Sequence, residues 1–265
     1  MPNPIVSHRL RVSAVSFLNT TPLVWGMLHG PQNGLFDLDF QIPSACADSL
    51  TAGRADIGIV PSFELTRQHL EIIPGAGIAC HGPVRSILLV SARPAAKIRT
   101  LAADSSSRTS VQLARLILDR RYGASPEVTA QPPDLDRMLR SADAALIIGD
   151  PALRIDPDRL PYHVYDLGAE WVEMTGLPMV FAVWAGRPGL VTPEVTEAFQ
   201  ASLRYGREHI DQIVAVESAR REFPPDLVRD YLGHHIVHEL GAREYAGMDR
   251  FLAWTRAAQP VEQTG

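Results

Sequence analysis

The stretch Arg99–Tyr122, RTLAADSSSRTSVQLARLILDRRY, opens as a strand end, crosses the polar run Asp104–Ser110 and becomes an amphipathic helix. Val111, Leu113, Leu116, Ile117 and Leu118 fall mostly on one face at helical spacing, with Arg115, Asp119 and Arg120 away from it. A strand that turns directly into a helix is the building step of α/β folds. A helix start leaves backbone N–H groups unpaired and carries the positive end of the macrodipole. Here it is surrounded by Ser105, Ser106, Ser107, Arg108, Thr109 and Ser110, which together form a natural anion cradle. One hydroxyl would cap the helix, and the surplus points to a carboxylate ligand. A solvated serine-rich loop with a single cap is the plain alternative. There is no Gly-x-x-x-x-Gly-Lys, which disfavours a nucleoside triphosphate.

Similar junctions recur along the chain. Leu10–Val15 alternates as a strand and gives way at Ser16–Pro22, with Asn19 at the break. Ala55–Val60 reads as a buried strand closed by Pro61, and Ser62 follows it. Ala144–Ile148 is another, ending at Gly149 and Asp150. Strand ends of this kind are where α/β proteins hold ligands, although Asn19, Ser62 and Asp150 could equally be helix caps. Glu170–Pro178 reads as a turn and a candidate cleft rim. Beyond Thr192 the chain is helical up to the aperiodic tail Gln259–Gly265, for which disorder is expected.

The chain has 265 residues and a net charge of −5, with no basic block, which argues against nucleic acid as a partner. Cys46 and Cys80 are the only cysteines and lack metal-type spacing. His234 and His238 stand at i and i+4 but lack a third ligand, so no metal is assigned. No apolar run approaches the ~18 residues that a membrane span needs. The start lacks an apolar segment behind a basic one, and a cytoplasmic protein is expected.

Two strongly apolar strands, Arg85–Ser91 and Met179–Ala185, are each followed by a small residue, arginine and proline. They bracket an α/β unit and read as paired crossings between two lobes, or as two unrelated strands ended by proline.

SAVSFLNTTPL at Ser13–Leu23, RADIGIVPSFE at Arg54–Glu64, GPVRSILLVS at Gly82–Ser91, the SSSRTS core of Leu101–Leu116, and LIIGDPAL at Leu146–Leu153 occur in one order. Together they resemble the chorismate dehydratase family of the futalosine route to menaquinone. The resemblance runs from about residue 10 to residue 255. It implies a two-lobed α/β fold like that of type II periplasmic binding proteins, with the ligand in the cleft. Lobe one would be 1–91 plus 187–265, and lobe two 92–186. A sister family, which cleaves cyclic dehypoxanthine futalosine, carries a His–Glu pair where this chain has Gly149 and Asp150. That departure argues against the sister activity.

The resemblance implies conversion of chorismate to 3-[(1-carboxyvinyl)oxy]benzoate and water. Aromatisation drives this reaction, which requires no cofactor. Asn19 and Ser86 are the catalytic candidates by resemblance to the family's pocket. Substrate contacts are expected from Ser62, Ser106, Ser107, Arg108, Thr109 and Asp150. The proton acceptor stays open between a substrate carboxylate, Asp150 and Glu173. The competing reading is a non-catalytic cytoplasmic module that senses a small carboxylate.

Overall fold

The computed structural model describes residues 9–258. The expected leaderless start (residues 1–8) and the tail 259–265 lie outside the described residues. Strand β1 (Leu10–Val15) passes through a 3-10 turn, Leu18–Thr20, into helix α1 (Thr21–His29). β2 (Phe36–Gln41) leads to α2 (Pro43–Thr51), and β3 (Ile57–Pro61) to a second 3-10 turn, Ser62–Thr66. β4 (Glu71–Cys80) follows. The middle of the chain holds β5 (Ile87–Ser91), β6 (Thr100–Asp104), α3 (Arg108–Tyr122), β7 (Glu127–Gln131), α4 (Leu135–Ser141), β8 (Ala144–Ile148), α5 (Gly149–Leu153), β9 (His163–Asp166) and α6 (Leu167–Thr175). The last part contains β10 (Met179–Gly186), α7 (Pro193–Glu208), α8 (Ile210–Arg221), α9 (Pro225–Asp230), a π-helical turn Tyr231–His235, β11 (Val237–Glu239) and α10 (Ala242–Ala258).

The strands form two sheets, one of six in the order β11-β4-β10-β3-β1-β2 and one of five in the order β7-β6-β8-β5-β9. We call the first sheet with its helices lobe one and the second lobe two. In lobe one β1 runs parallel to β2 and β3, while β10 lies antiparallel to both β3 and β4. In lobe two β6 runs parallel to β7 and β8, and β5 antiparallel to β8 and β9.

This sheet membership corrects the expected lobe limits. Ile87–Ser91 belongs to the second sheet and Met179–Gly186 to the first, so neither strand is a crossing. The crossings are the short segments 81–86 and 176–178. The reason is burial on both faces. Leu88 and Val90 point into a small core with Met138 of α4, whereas Ile87 and Leu89 join the main core. Every residue of β10 is also buried. A strand apolar on both sides belongs inside a sheet. The arginine-proline steps serve their own sheets: Arg187 pairs with Asp56, which also accepts from the backbone and side chain of Arg11.

The segment read as a cleft rim, Glu170–Pro178, is largely helix α6. Asp166 caps it, accepting from Gly168 N (2.9 Å) and Ala169 N (3.1 Å), and Gly176 closes it in the left-handed conformation. The buried Trp171 then packs against Phe251 and Trp254 of α10.

Two helix contacts are close enough to exclude a side chain. A Cβ on Gly206 of α7 would overlap the carbonyl oxygen of Pro22 at the start of α1, and one on Gly247 of α10 would overlap that of Pro178. Backbone cannot swing away as a side chain can. Gly206→Ala and Gly247→Ala are therefore each expected to lose about 1–3 kcal/mol, read as a lower melting temperature. Wild-type melting in both would remove these contacts from the packing argument.

Candidate active site

Between the lobes lies a cavity of about 50 Å³ whose polar side chains are Asn19, Ser86, Ser107 and Ser110. Phe17, Ile78, Ile148 and Phe181 are among its apolar walls. No titratable side chain lines it.

Asn19 sits in the 3-10 turn after β1. Two contacts hold that turn: Leu18 N donates to Asp150 Oδ1 (2.9 Å), and His238 Nε2 lies 2.8 Å from Asn19 O. His238 is buried, and desolvation pushes its pKa down to about 4. The ring is therefore neutral at pH 7 and donates its Nε2–H to the carbonyl. The paired-metal geometry considered for His234 and His238 does not form, because the first lies in the π-helical turn and the second on β11. No metal-ligand cluster occurs among the described residues.

Ser86 ends the first crossing and is 1% exposed. Arg85, just before it, has φ 66°, a left-handed conformation that costs about 1–3 kcal/mol in a non-glycine residue. The surroundings hold it there. Val84 N and Arg85 N donate to the two oxygens of Asp166 (2.9 and 2.6 Å), and Arg85 Nη2 donates to Ile155 O (2.6 Å). Ser86 O accepts from Gly149 N (2.7 Å), and the serine hydroxyl accepts from the phenol of Tyr231 at 2.7 Å.

Gly149 has φ 64°, and a Cβ there would stand 2.6 Å from the ring of Phe17. The ring of one lobe thus rests on the bare backbone of the other. Any side chain at this position would meet Phe17.

The serine-rich run divides by role. Ser107 is the N-cap of α3, accepting from Ser110 N (3.2 Å); its hydroxyl lies 2.9 Å from that of Ser110, and both residues line the cavity. Ser107 also lines a surface hollow of about 410 Å³ with Arg67 and Arg108 on its wall. The other expected ligand groups are committed within the protein. Ser106 Oγ donates to Asp104 (2.7 Å), whose own pKa is raised by burial. Arg108 pairs with Glu64 (3.0 Å) and Asp48 (2.7 Å) of lobe one. Thr109 Oγ1 accepts from Phe63 N (3.1 Å), and Ser62 Oγ donates to Val180 O (2.8 Å). Asp150 pairs with Arg221, which also donates to Ser16 O (2.9 Å). Ser62, Ser106, Arg108, Thr109 and Asp150 are thus absent from the cavity wall. Arg108, Thr109 and Asp150 join the lobes to each other. Glu173, 62% exposed and paired with Arg121, is also absent from it.

Sequence reasoning missed Tyr231, Phe17 and Arg221. Tyr231 stands in a stretch read as an ordinary helix. Only the neighbouring histidine cluster drew attention to that region.

The family described as menaquinone biosynthesis matches residues 10–257. The chain belongs to this family. Within reach of it lie a chorismate dehydratase of Thermus thermophilus, 28% identical over 228 residues, covering 77% of this chain and 83% of that one, and a chorismate dehydratase of Campylobacter jejuni, 26% identical over 221 residues and covering 82% of each. Among solved structures, a crystal structure of an Archaeoglobus fulgidus protein superposes with a TM-score of 0.71 at 17% identity, covering 95% of this chain and 98% of that one. The periplasmic aliphatic sulphonate binding protein of Escherichia coli superposes at 0.62 with 15% identity, covering 95% and 88%. The fold of this family member is therefore that of the periplasmic binding proteins, as the resemblance implied.

The buried His238 gives this scaffold a pH signature. An unfolded histidine takes up its proton near 6.5, whereas the folded one waits until about 4. Its contribution is fully present above 6.5 and is lost as pH falls towards 4, by ~3 kcal/mol. His238→Gln keeps an N–H donor for Asn19 O and should lack that limb. Equal pH slopes for the two proteins in denaturant titrations would contradict the assignment.

Proposed function

We propose that this protein is a chorismate dehydratase, a hydro-lyase of the futalosine route that works in the cytoplasm on chorismate. The two curated relatives and the family membership support the reaction class. The observation that carries the reading is that Asn19 and Ser86 line one cavity with no titratable side chain between them. Such a wall suits a substrate that brings its own charges.

The ring loses the hydrogen on C3 and the hydroxyl on C4. The C3–H electron pair becomes a ring double bond, the C4–O bond breaks, and the proton and hydroxide leave as water. Asp150 and Glu173, the protein carboxylates considered as base, are engaged by Arg221 and Arg121. A carboxylate of the substrate is therefore the proton acceptor in this reading. The protein's part is to orient the ring and to hydrogen-bond the departing oxygen. Asn19 and Ser86 are neutral at all working pH values and act as hydrogen-bonding groups. Ser107 and Ser110, at the start of α3, would meet a substrate carboxylate with their hydroxyls at the positive end of the helix.

A volume of about 50 Å³ holds only a few waters, so the lobes must part to admit a ten-carbon diacid. The contacts of Arg108 with Glu64 and of Asp150 with Arg221 are among those that opening would break.

Incubation with chorismate should produce a new aromatic ultraviolet absorbance. Asn19→Ala and Ser86→Ala should each lower kcat by about 10²–10³-fold, or ~2.7–4 kcal/mol of barrier, with near-wild-type melting. A protein that binds chorismate without forming product would instead be the sensing module. Folded variants with wild-type kcat would remove both residues from the reaction.

With no protein base, the kcat profile should also stay flat from about pH 6 to 9, because no side chain on the wall titrates there. A limb that disappears in Asp150→Asn would restore Asp150 as the base.

A further inference from the structure

We propose that Tyr231 is a positioning residue for the dehydration, turning the Ser86 hydroxyl into the cleft as a donor. This rests on the dehydratase reading. Tyr231 is 1% exposed and stands at the start of the π-helical turn, far in sequence from Ser86. Its phenol donates to Ser86 Oγ at 2.7 Å, and no other hydrogen bond to that serine hydroxyl occurs among the described residues.

The direction of the bond matters. A serine hydroxyl has one proton and two lone pairs. When the phenol occupies a lone pair, the serine proton is free to point away, and the serine lines the cavity. The reverse arrangement would leave the phenol O–H unpaired in a buried site, which is costly. Burial keeps the phenol protonated far above neutral pH, so it remains a donor throughout. The order is then Tyr231 proton to Ser86 oxygen, and Ser86 proton into the cleft. Each donor in such a chain strengthens the next. The serine proton is thereby directed at an oxygen that gains negative charge as its C–O bond breaks.

Tyr231→Phe removes one oxygen and keeps the ring. It should lower kcat by about 10- to 100-fold, with KM changed less than about twofold, because the ring and the cavity wall remain. In a Ser86→Ala background the same change should cost less than about twofold in kcat, since the group it positions is gone. A tyrosine that merely packs the lobes together would give the same loss in both backgrounds, and that result overturns the proposal. So does a wild-type kcat in Tyr231→Phe. Should Tyr231→Phe melt too low to assay, the double variant, which leaves neither hydroxyl unpaired, is compared with Ser86→Ala. Equal kcat supports the proposal and a further tenfold loss overturns it. Wild-type protein that forms no aromatic product from chorismate would defeat the dehydratase reading itself. Active wild type with an indifferent Tyr231→Phe defeats the positioning role alone.

Discussion

Strand β10 enters the first sheet between β3 and β4 only after the whole of lobe two has been laid down. This insertion forces the chain to cross twice, and it keeps both crossings at one end of the same pair of strands. Met179 opposite Cys80 marks where β10 begins beside the end of β4. Asp166 then secures the outgoing crossing by accepting from Val84 and Arg85 while capping α6. The left-handed Arg85 is a consequence of that grip, and Ser86 takes its orientation from it. The position of the serine is thus set by sheet topology before any chemistry is considered.

Charge and neutrality are separated in this molecule. Ion pairs with one partner in each lobe, Arg108 with Glu64 and Asp48, and Arg221 with Asp150, hold the lobes together outside the cavity. Inside it the polar groups are hydroxyls and an amide. Polar bonds to charged groups are the stronger ones, and in a partly buried setting they are little screened. Placing them between the lobes favours a defined closed state. Keeping them off the cavity wall leaves a dianionic substrate without an internal salt bridge that would stabilise ground state and transition state alike. The neutral His238 extends the pattern, since it fixes the Asn19 backbone without putting a charge behind the cavity.

Gly149 ties the two themes together. Its backbone accepts the close approach of Phe17 and donates to Ser86 O, so an apolar ring occupies the space a side chain at this position would need. The absence of a side chain there is as much a part of the site as the residues that carry hydrogen-bonding groups.

The α/β class, the strand ends and helix α3 with its cap were legible in the chain alone, because periodicity and capping act over a few residues. The placing of Asn19 and Ser86 at junctions was legible too, and the family resemblance added their proposed roles. The lobe limits were misread because β5 and β10 look alike locally, and only their partners in the sheets distinguish a central strand from a crossing. The partners of Arg108, Thr109 and Asp150 were not legible for a similar reason. A hydroxyl or charge at a helix start serves a ligand or the protein according to what stands opposite, and Phe63, Glu64 and Arg221 come from distant parts of the chain. Tyr231 and Ser86 are separated by 145 positions, a relation with no local signature. The sequence by itself determined the elements and the chemistry they could carry. The tertiary structure decided which groups remain free, because a hydrogen bond made inside the protein removes a group from the set available to a ligand.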